Sequence, residues 1–213
     1  MKNSKLAGRI ALLLLVAASG SELLLRGVLR IAARGDDLAS PYVSAQRLIH
    51  GRNPYSSDNF LSDWHASGAP ANKSLDESAI RPIYPPTALV VVSPLATVSW
   101  PVAIQLYGWG CTFIYMGLVW LLGGAVGDSW TSARRLWFVA FCLGLSPIHA
   151  GISQGNLSAI VFLLCGYGLF LAWRRYEIVS GVLLALALCI KPTSAIAALA
   201  AVLLYGRIRA FVT

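Results

Sequence analysis

Two adjacent aspartates, Asp36 and Asp37, stand directly after the first long apolar stretch of the chain. Far downstream, one lysine, Lys191, interrupts apolar sequence in "CIKPTSA". Between them, "SPIHAGISQGN" holds His149, Gln154 and Asn156, and "RPIYPPTAL" places Tyr84 at the mouth of a short apolar run. A carboxylate at a water–lipid boundary suits a general base that takes a proton from an incoming hydroxyl. A lysine at the same depth suits a phosphate, as a compact charge with three donors. Together they describe transfer of a group from a lipid-linked phosphate to a hydroxyl acceptor. Each residue also has a plainer reading. The aspartates can be a solvated loop start beside Arg34, and Lys191 can snorkel at a helix end. The amides can satisfy backbone in a turn at membrane depth. Tyr84-Pro85-Pro86 can simply start a helix.

The elements that must position these groups are membrane helices. The 213 residues are 57% hydrophobic and 12% charged, with mean hydropathy +0.66. A soluble domain would carry about twice that charged fraction. Recurrent apolar runs make the chain an all-α, polytopic transmembrane protein forming one membrane domain over residues 1–213. Its net charge of +8 does not form a basic patch, so no nucleic acid is expected as a partner. Instead the bases fall in small groups between apolar runs: Lys2, Lys5 and Arg9; Arg134 and Arg135; Arg174 and Arg175; Arg207 and Arg209. That is the pattern of cytoplasmic loops. The four cysteines lie inside apolar runs without CxxC spacing, as small hydrophobes. The three histidines are unpaired, so neither a metal nor a cofactor is expected.

Residues 6–33 read as the first transmembrane helix, retained in preference to a cleaved leader because apolar character resumes after the small residues. Glu22, Arg26 and Arg30 give it one polar stripe, expected to face protein or the interface. Residues 34–85 form an outer loop. Within it residues 42–50 make an interfacial helix, with Tyr42, Val43, Ala45, Leu48 and Ile49 on its apolar face and Gln46 and Arg47 opposite. Gly51 is its expected C-cap. Residues 56–79 have loop composition. The run 86–98 extends roughly 20 Å, too short for a core of about 30 Å. It either crosses or forms a short re-entrant or interfacial helix, and the second choice keeps every later basic pair inside. The remaining transmembrane helices occupy residues 102–206, with "SPIHAGISQGN" as an outer turn. Several are short, which would leave a hydrated outer cavity where polar residues are tolerated.

Four segments, "GDDLASPYVSAQRLIHGRNPY", "IYPPTALVVVSPLA", "SQGNLSAIVFLL" and "GVLLALALCIKPTSAIAALAAVLLYGRIRA", occur in an order and spacing that resemble glycosyltransferase family 87. The resemblance implies a GT-C-like fold and a polyprenyl-phosphate-sugar donor, as in the mycobacterial mannosyltransferases of that family. It implies a hexosyltransferase, inverting by single displacement, with a glycolipid or glycan acceptor and the lipid bilayer as its setting. In the family the base is an aspartate just after the first helix. Asp37, followed by Leu38, Tyr42 and the Gly51-to-Tyr55 close, fits that pattern, with Asp36 as the fallback. Lys191 is expected to meet the donor phosphate, and Tyr42, Tyr84, His149, Gln154 and Asn156 to contact substrate. Leu38 stands where the family often has an aromatic, and Ser153 where it often has glycine, which bears on acceptor fit. Members carry further helices, so the chain reads as truncated at its C-terminus, and a separately encoded C-terminal half is a further expected partner. The implied location is a bacterial inner membrane, multi-pass, with the site facing outside. Two other classes remain open: a lipid-linked-sugar transporter or flippase, and a non-catalytic partner subunit or inactive fragment. A transporter would be expected to show internal repeats and polar residues at mid-bilayer depth, and neither is evident.

Overall fold

The computed structural model describes residues 2–73, 75, 83–125 and 131–204. Asp76, Glu77, Arg81, the inner loop at 126–130, Arg207, Arg209 and the side chains of Lys2 and Lys5 lie outside what is described. Every regular element among the described residues is helical.

The first span, Leu6–Arg34, is long and apolar enough to cross a membrane. It begins as α1 (Lys2–Glu22), widens into a π-turn over Leu23–Gly27, tightens to a 3-10 turn over Val28–Arg30 and ends as α2 (Ile31–Arg34). The irregularity falls at Gly27, where a side chain would meet the backbone of His149 and the side chain of Ile152. Such bulges are where helices bend. The polar stripe turns away from the protein: Arg26 pairs with Glu22 at 2.6 Å, with both side chains exposed.

Next come a 3-10 turn over Asp36–Leu38 and α3 (Ala39–Ile49), which ends at Gly51 in the left-handed region, φ +67°. On the apolar face of α3, Tyr42, Val43 and Ala45 are buried in protein, while Leu48 and Ile49 near its end stay exposed. The helix packs along α5 (Pro86–Ala96), and Tyr42 stacks edge-on against Trp100, 5.2 Å between centroids. Trp64 meets the same indole at 5.3 Å. Trp64 belongs to α4 (Phe60–Ala66), a helix inside the stretch whose composition suggested only loop. Arg47 also departs from its expected solvent-side position. It is 4% exposed, pairs with Asp63 at 2.8 Å and donates to the carbonyls of Ser56 and Asp58. A guanidinium with five donors can gather a loop around itself in this way.

A second crossing-length helix, α6 (Trp100–Ala125), precedes α7 (Ser132–Leu143) and α8 (Ser146–Ser153). Here the structure corrects the sequence reading. Most of "SPIHAGISQGN" is helical, and α7 with α8 makes a third crossing-length unit, Ser132–Ser153. Pro147 lies in the first turn of α8, where its missing N–H costs nothing. Only the residues after Ser153 turn the chain.

The bundle closes with α9 (Ser158–Trp173), α10 (Glu177–Ile190) and α11 (Pro192–Leu204). These are roughly 20–24 Å long, shorter than a bilayer core. α9 and α10 approach closely because Gly168 lies under Leu184, and the buried Ser180 hydroxyl donates to the Gly168 carbonyl at 2.7 Å. Small residues at such crossings let backbones meet without lipid between them. The unit α7–α8 leads from Arg134 and Arg135 towards Gln154, and α10 leads from Arg174 and Arg175 towards Lys191. Both arginine pairs therefore lie at helix ends remote from Gln154 and Lys191.

Candidate active site

Two turns dock on each other to build the site. The first carries Asp37 on the 3-10 turn Asp36–Leu38, anchored by the fully buried Leu38 side chain. The second, Gln154 to Leu157, joins α8 to α9. The Asp37 N–H donates to the Gln154 carbonyl at 3.1 Å. Gly155 makes this contact possible. Its φ is +69°, and an added Cβ would lie 2.8 Å from the Leu38 Cβ and 3.0 Å from the Gly35 carbonyl oxygen. Only a residue without a Cβ fits both the conformation and the space.

The docked turns bring together side chains that are distant in sequence. Asn156 donates through Nδ2 to Asp37 Oδ2 at 2.8 Å. Its Oδ1 accepts from the Ser158 N–H at 2.9 Å and from Lys191 Nζ at 3.3 Å. The amide can face only this way, because a carboxylate accepts and an ammonium donates. Lys191 also donates to Ser158 Oγ at 2.7 Å. From α6, the Tyr107 hydroxyl donates to the Asn156 carbonyl at 2.5 Å, holding the turn from behind. Carboxylate, amide and ammonium thus form one partly buried chain, with the two charges separated by a single amide group.

The neighbouring carboxylate leads elsewhere. Asp36 pairs with Lys73, which also donates to the Ala33 carbonyl at 2.9 Å. Tyr84 is near enough to Asp37 to feel its charge. Burial, and secondarily the negative charge of Asp37, push its phenol above the ordinary value, so it is a neutral hydroxyl at neutral pH.

Other expected contacts are engaged away from this chain. Tyr42 is fully buried, donates to the Val98 carbonyl at 2.6 Å and accepts from Gln46 Nε2 at 3.0 Å. His149 is buried on α8, and its Nε2–H donates to the Leu143 carbonyl at 2.7 Å. Gln154 contributes its backbone carbonyl while its side chain is exposed. Ser158, Tyr107 and Gly155 were not singled out in the sequence. Ser158 carried one local signal, since Asn followed two residues later by a helix start is a capping arrangement. Tyr107 carried none, being one aromatic among many in an apolar helix.

The arrangement offers an oriented carboxylate, an ammonium with one of its three protons not committed to Asn156 or Ser158, and a phenol within reach of the carboxylate's charge. Among the described residues no group of three or more His, Cys, Asp or Glu gathers as a metal site. No curated protein and no solved structure matches the chain. The family model of glycosyltransferase family 87 matches residues 83–213, which include Tyr84, Asn156, Ser158 and Lys191, while Asp37 precedes that segment. With well over half its length matched, the chain belongs to glycosyltransferase family 87.

Proposed function

We propose that this membrane glycosyltransferase moves a hexose, of mannosyl type, from a polyprenyl-phosphate donor to a hydroxyl of a glycolipid or glycan at the extracytoplasmic face. The observation that carries the reading is the hydrogen-bonded chain Asp37–Asn156–Lys191. Asp37 is the base. Asn156 engages Oδ2 and fixes the carboxylate plane, and Oδ1 takes the acceptor proton. The acceptor oxygen attacks the anomeric carbon as the bond from that carbon to the phosphate oxygen breaks. The electron pair leaves with the phosphate, whose charge Lys191 balances. One displacement inverts the anomeric centre. Asp36 is the weaker choice because Lys73 holds it.

The outward orientation is supported by the position of Arg134, Arg135, Arg174 and Arg175 at the far ends of the helices that lead to the site. A bacterial plasma membrane is the setting that this orientation and a polyprenyl donor suit. A short α5 that packs along α3 supports the interfacial reading of residues 86–98 over a crossing one.

The test is transfer of labelled mannose from polyprenyl phosphate by purified protein, wild type beside Asp37→Asn. Loss of a general base lowers the rate about a hundred- to ten-thousand-fold. Equal rates in the two proteins would remove Asp37 from the mechanism.

A further inference from the structure

A depression of about 480 Å³ opens where α3 and α4 end beside the link from α5 to α6. Its walls carry Gln46, His50, Ser67 and Thr97, with apolar surface from Ile49 and Ala66 between them. No Asp, Glu, Lys or Arg lines it. The size falls within the range of small-molecule sites. Its polar groups are held from behind. Gln46 Nε2 donates to the Tyr42 hydroxyl at 3.0 Å, and that hydroxyl donates to the Val98 carbonyl at 2.6 Å. This order of donors fixes the amide and leaves its Oε1 uncommitted. His50 Nδ1 lies 2.7 Å from the Gln46 carbonyl, which can only accept, so the neutral ring keeps its proton there and Nε2 carries the lone pair. The Thr97 and Ser67 hydroxyls spend their protons on the Pro94 and Trp64 carbonyls, at 2.8 and 2.6 Å. Among the described residues no donor meets Gln46 Oε1, His50 Nε2 or Thr97 Oγ1.

The depression is therefore neutral and rich in acceptors. It holds no charge to balance a phosphate or an amine, and a hydrocarbon seated there would strand the acceptors without water. A sugar ring fits this chemistry, with several hydroxyl donors, no charge and a C–H face to lie on Ile49 and Ala66. Position then says which sugar. Gln46 stands nine residues beyond Asp37 in the chain, about 14 Å along α3 and further than one sugar ring spans. Ser99, also in the lining, directly precedes α6, and Tyr107, about two turns deeper in that helix, reaches the Asn156 carbonyl. The depression lies on the water side of the catalytic chain. We infer that it seats a sugar residue of the acceptor glycan remote from the reacting hydroxyl. This assignment rests on the glycan-acceptor reading given above. It makes Gln46, His50 and Thr97 determinants of acceptor recognition, separate from the residues that handle the proton and the phosphate.

The test is a binding measurement that needs no sugar transfer. Full-length protein in nanodiscs is titrated with mannotriose and, separately, with maltotriose, read by saturation-transfer NMR. Ala66→Trp fills the depression, and His50→Phe keeps a ring while removing the Nε2 acceptor. Leu48→Trp, exposed on α3 outside the lining, is the control for added bulk. Wild type and the control should bind at least one of the two sugars. Ala66→Trp should abolish that binding, and His50→Phe should weaken it about two- to tenfold, the loss of one neutral hydrogen bond. Thermal unfolding of each variant separates a blocked depression from a damaged fold. Asp37→Asn should bind the sugar as wild type does, because the depression is remote from the carboxylate. The assignment is overturned if wild type binds neither sugar, if both variants, folded, bind as the control does, or if Asp37→Asn loses the signal. A second measurement ties the depression to the acceptor: in transfer of labelled mannose to mannotriose, the His50→Phe loss should appear in KM rather than kcat. A loss in kcat alone overturns the subsite. Intact sugar binding without transfer from any polyprenyl-phosphate donor would instead strike the transfer reading, and the acceptor role with it.

Discussion

Asn156 is the residue through which the site is most sharply tested. Its side chain makes a charge-assisted bond to Asp37 Oδ2 at 2.8 Å, caps α9 by accepting from the Ser158 N–H at 2.9 Å, and receives Lys191 at 3.3 Å. Replacing it with alanine removes all three. Loss of the cap costs about 1 kcal/mol of stability, which a domain with this many buried contacts tolerates. Loss of the charge-assisted bond is worth about 1.5–3 kcal/mol. If that energy orients Asp37 in the transition state, the transfer rate at saturating donor falls about ten- to a hundredfold. The decisive measurement is a double-mutant cycle with Asp37→Asn, using labelled-sugar transfer by matched amounts of folded protein. Asn156 acts through Asp37, so the double variant should be no slower than Asp37→Asn alone. Losses that simply multiply would show that Asn156 works independently of the carboxylate, and the orienting role would be refuted.

Asp36→Asn removes a partly exposed pair with Lys73, a contact of about 0–1 kcal/mol. Its transfer rate should stay within about fivefold of wild type, and a loss matching that of Asp37→Asn would reassign the base. Gly155→Ala forces a Cβ against Leu38 and the Gly35 carbonyl at φ +69°. It should separate the docked turns, lowering both the unfolding temperature and transfer; a variant with wild-type values for both would show that the turns do not need this contact. Among the described residues, Arg47→Met leaves Asp63 with only the exposed Arg52 at 3.3 Å and strips the Ser56 and Asp58 carbonyls of a donor. Breaking a buried pair this way costs about 3–5 kcal/mol, so limited proteolysis should begin within residues 52–66. The same loop should respond to acid. Burial works to raise the Asp63 carboxyl, but hydrogen bonds from Arg47 and Arg52 outweigh it and hold the group below its ordinary value. The stabilisation is therefore complete above the unfolded value of about 4 and is lost as pH falls through the folded one. Cleavage of this loop by an acid-active protease should rise over that range in wild type and be flat in Asp63→Asn.

The sequence by itself determined the class of the molecule. Apolar runs, sparse charge and arginine pairs between them specify membrane helices, because a backbone in lipid must bond within its own segment. Helix ends were legible for the same local reason: Gly51 after α3 and the prolines opening α5 act through the backbone conformation of single residues. Asp37, Asn156 and Lys191 were readable as candidates because ionisable and amide groups are costly beside apolar runs. Other features could not be read locally. Arg47 looks like a solvent-facing base until α4 and its loop fold over it. His149 looks available until α8 continues through it and a Leu143 carbonyl takes its ring N–H. The spacing to Leu38, Tyr42 and Gly51 favours Asp37 over Asp36, but it does not tell which group either carboxylate meets. Tertiary structure separated them by docking two turns 119 residues apart through Gly155, which aims one carboxylate at Asn156 and leaves the other to Lys73. Hydrophobic periodicity is a property of a helix face and survives in one dimension. The partner of a polar side chain depends on which turns meet, and only the packed bundle decides that.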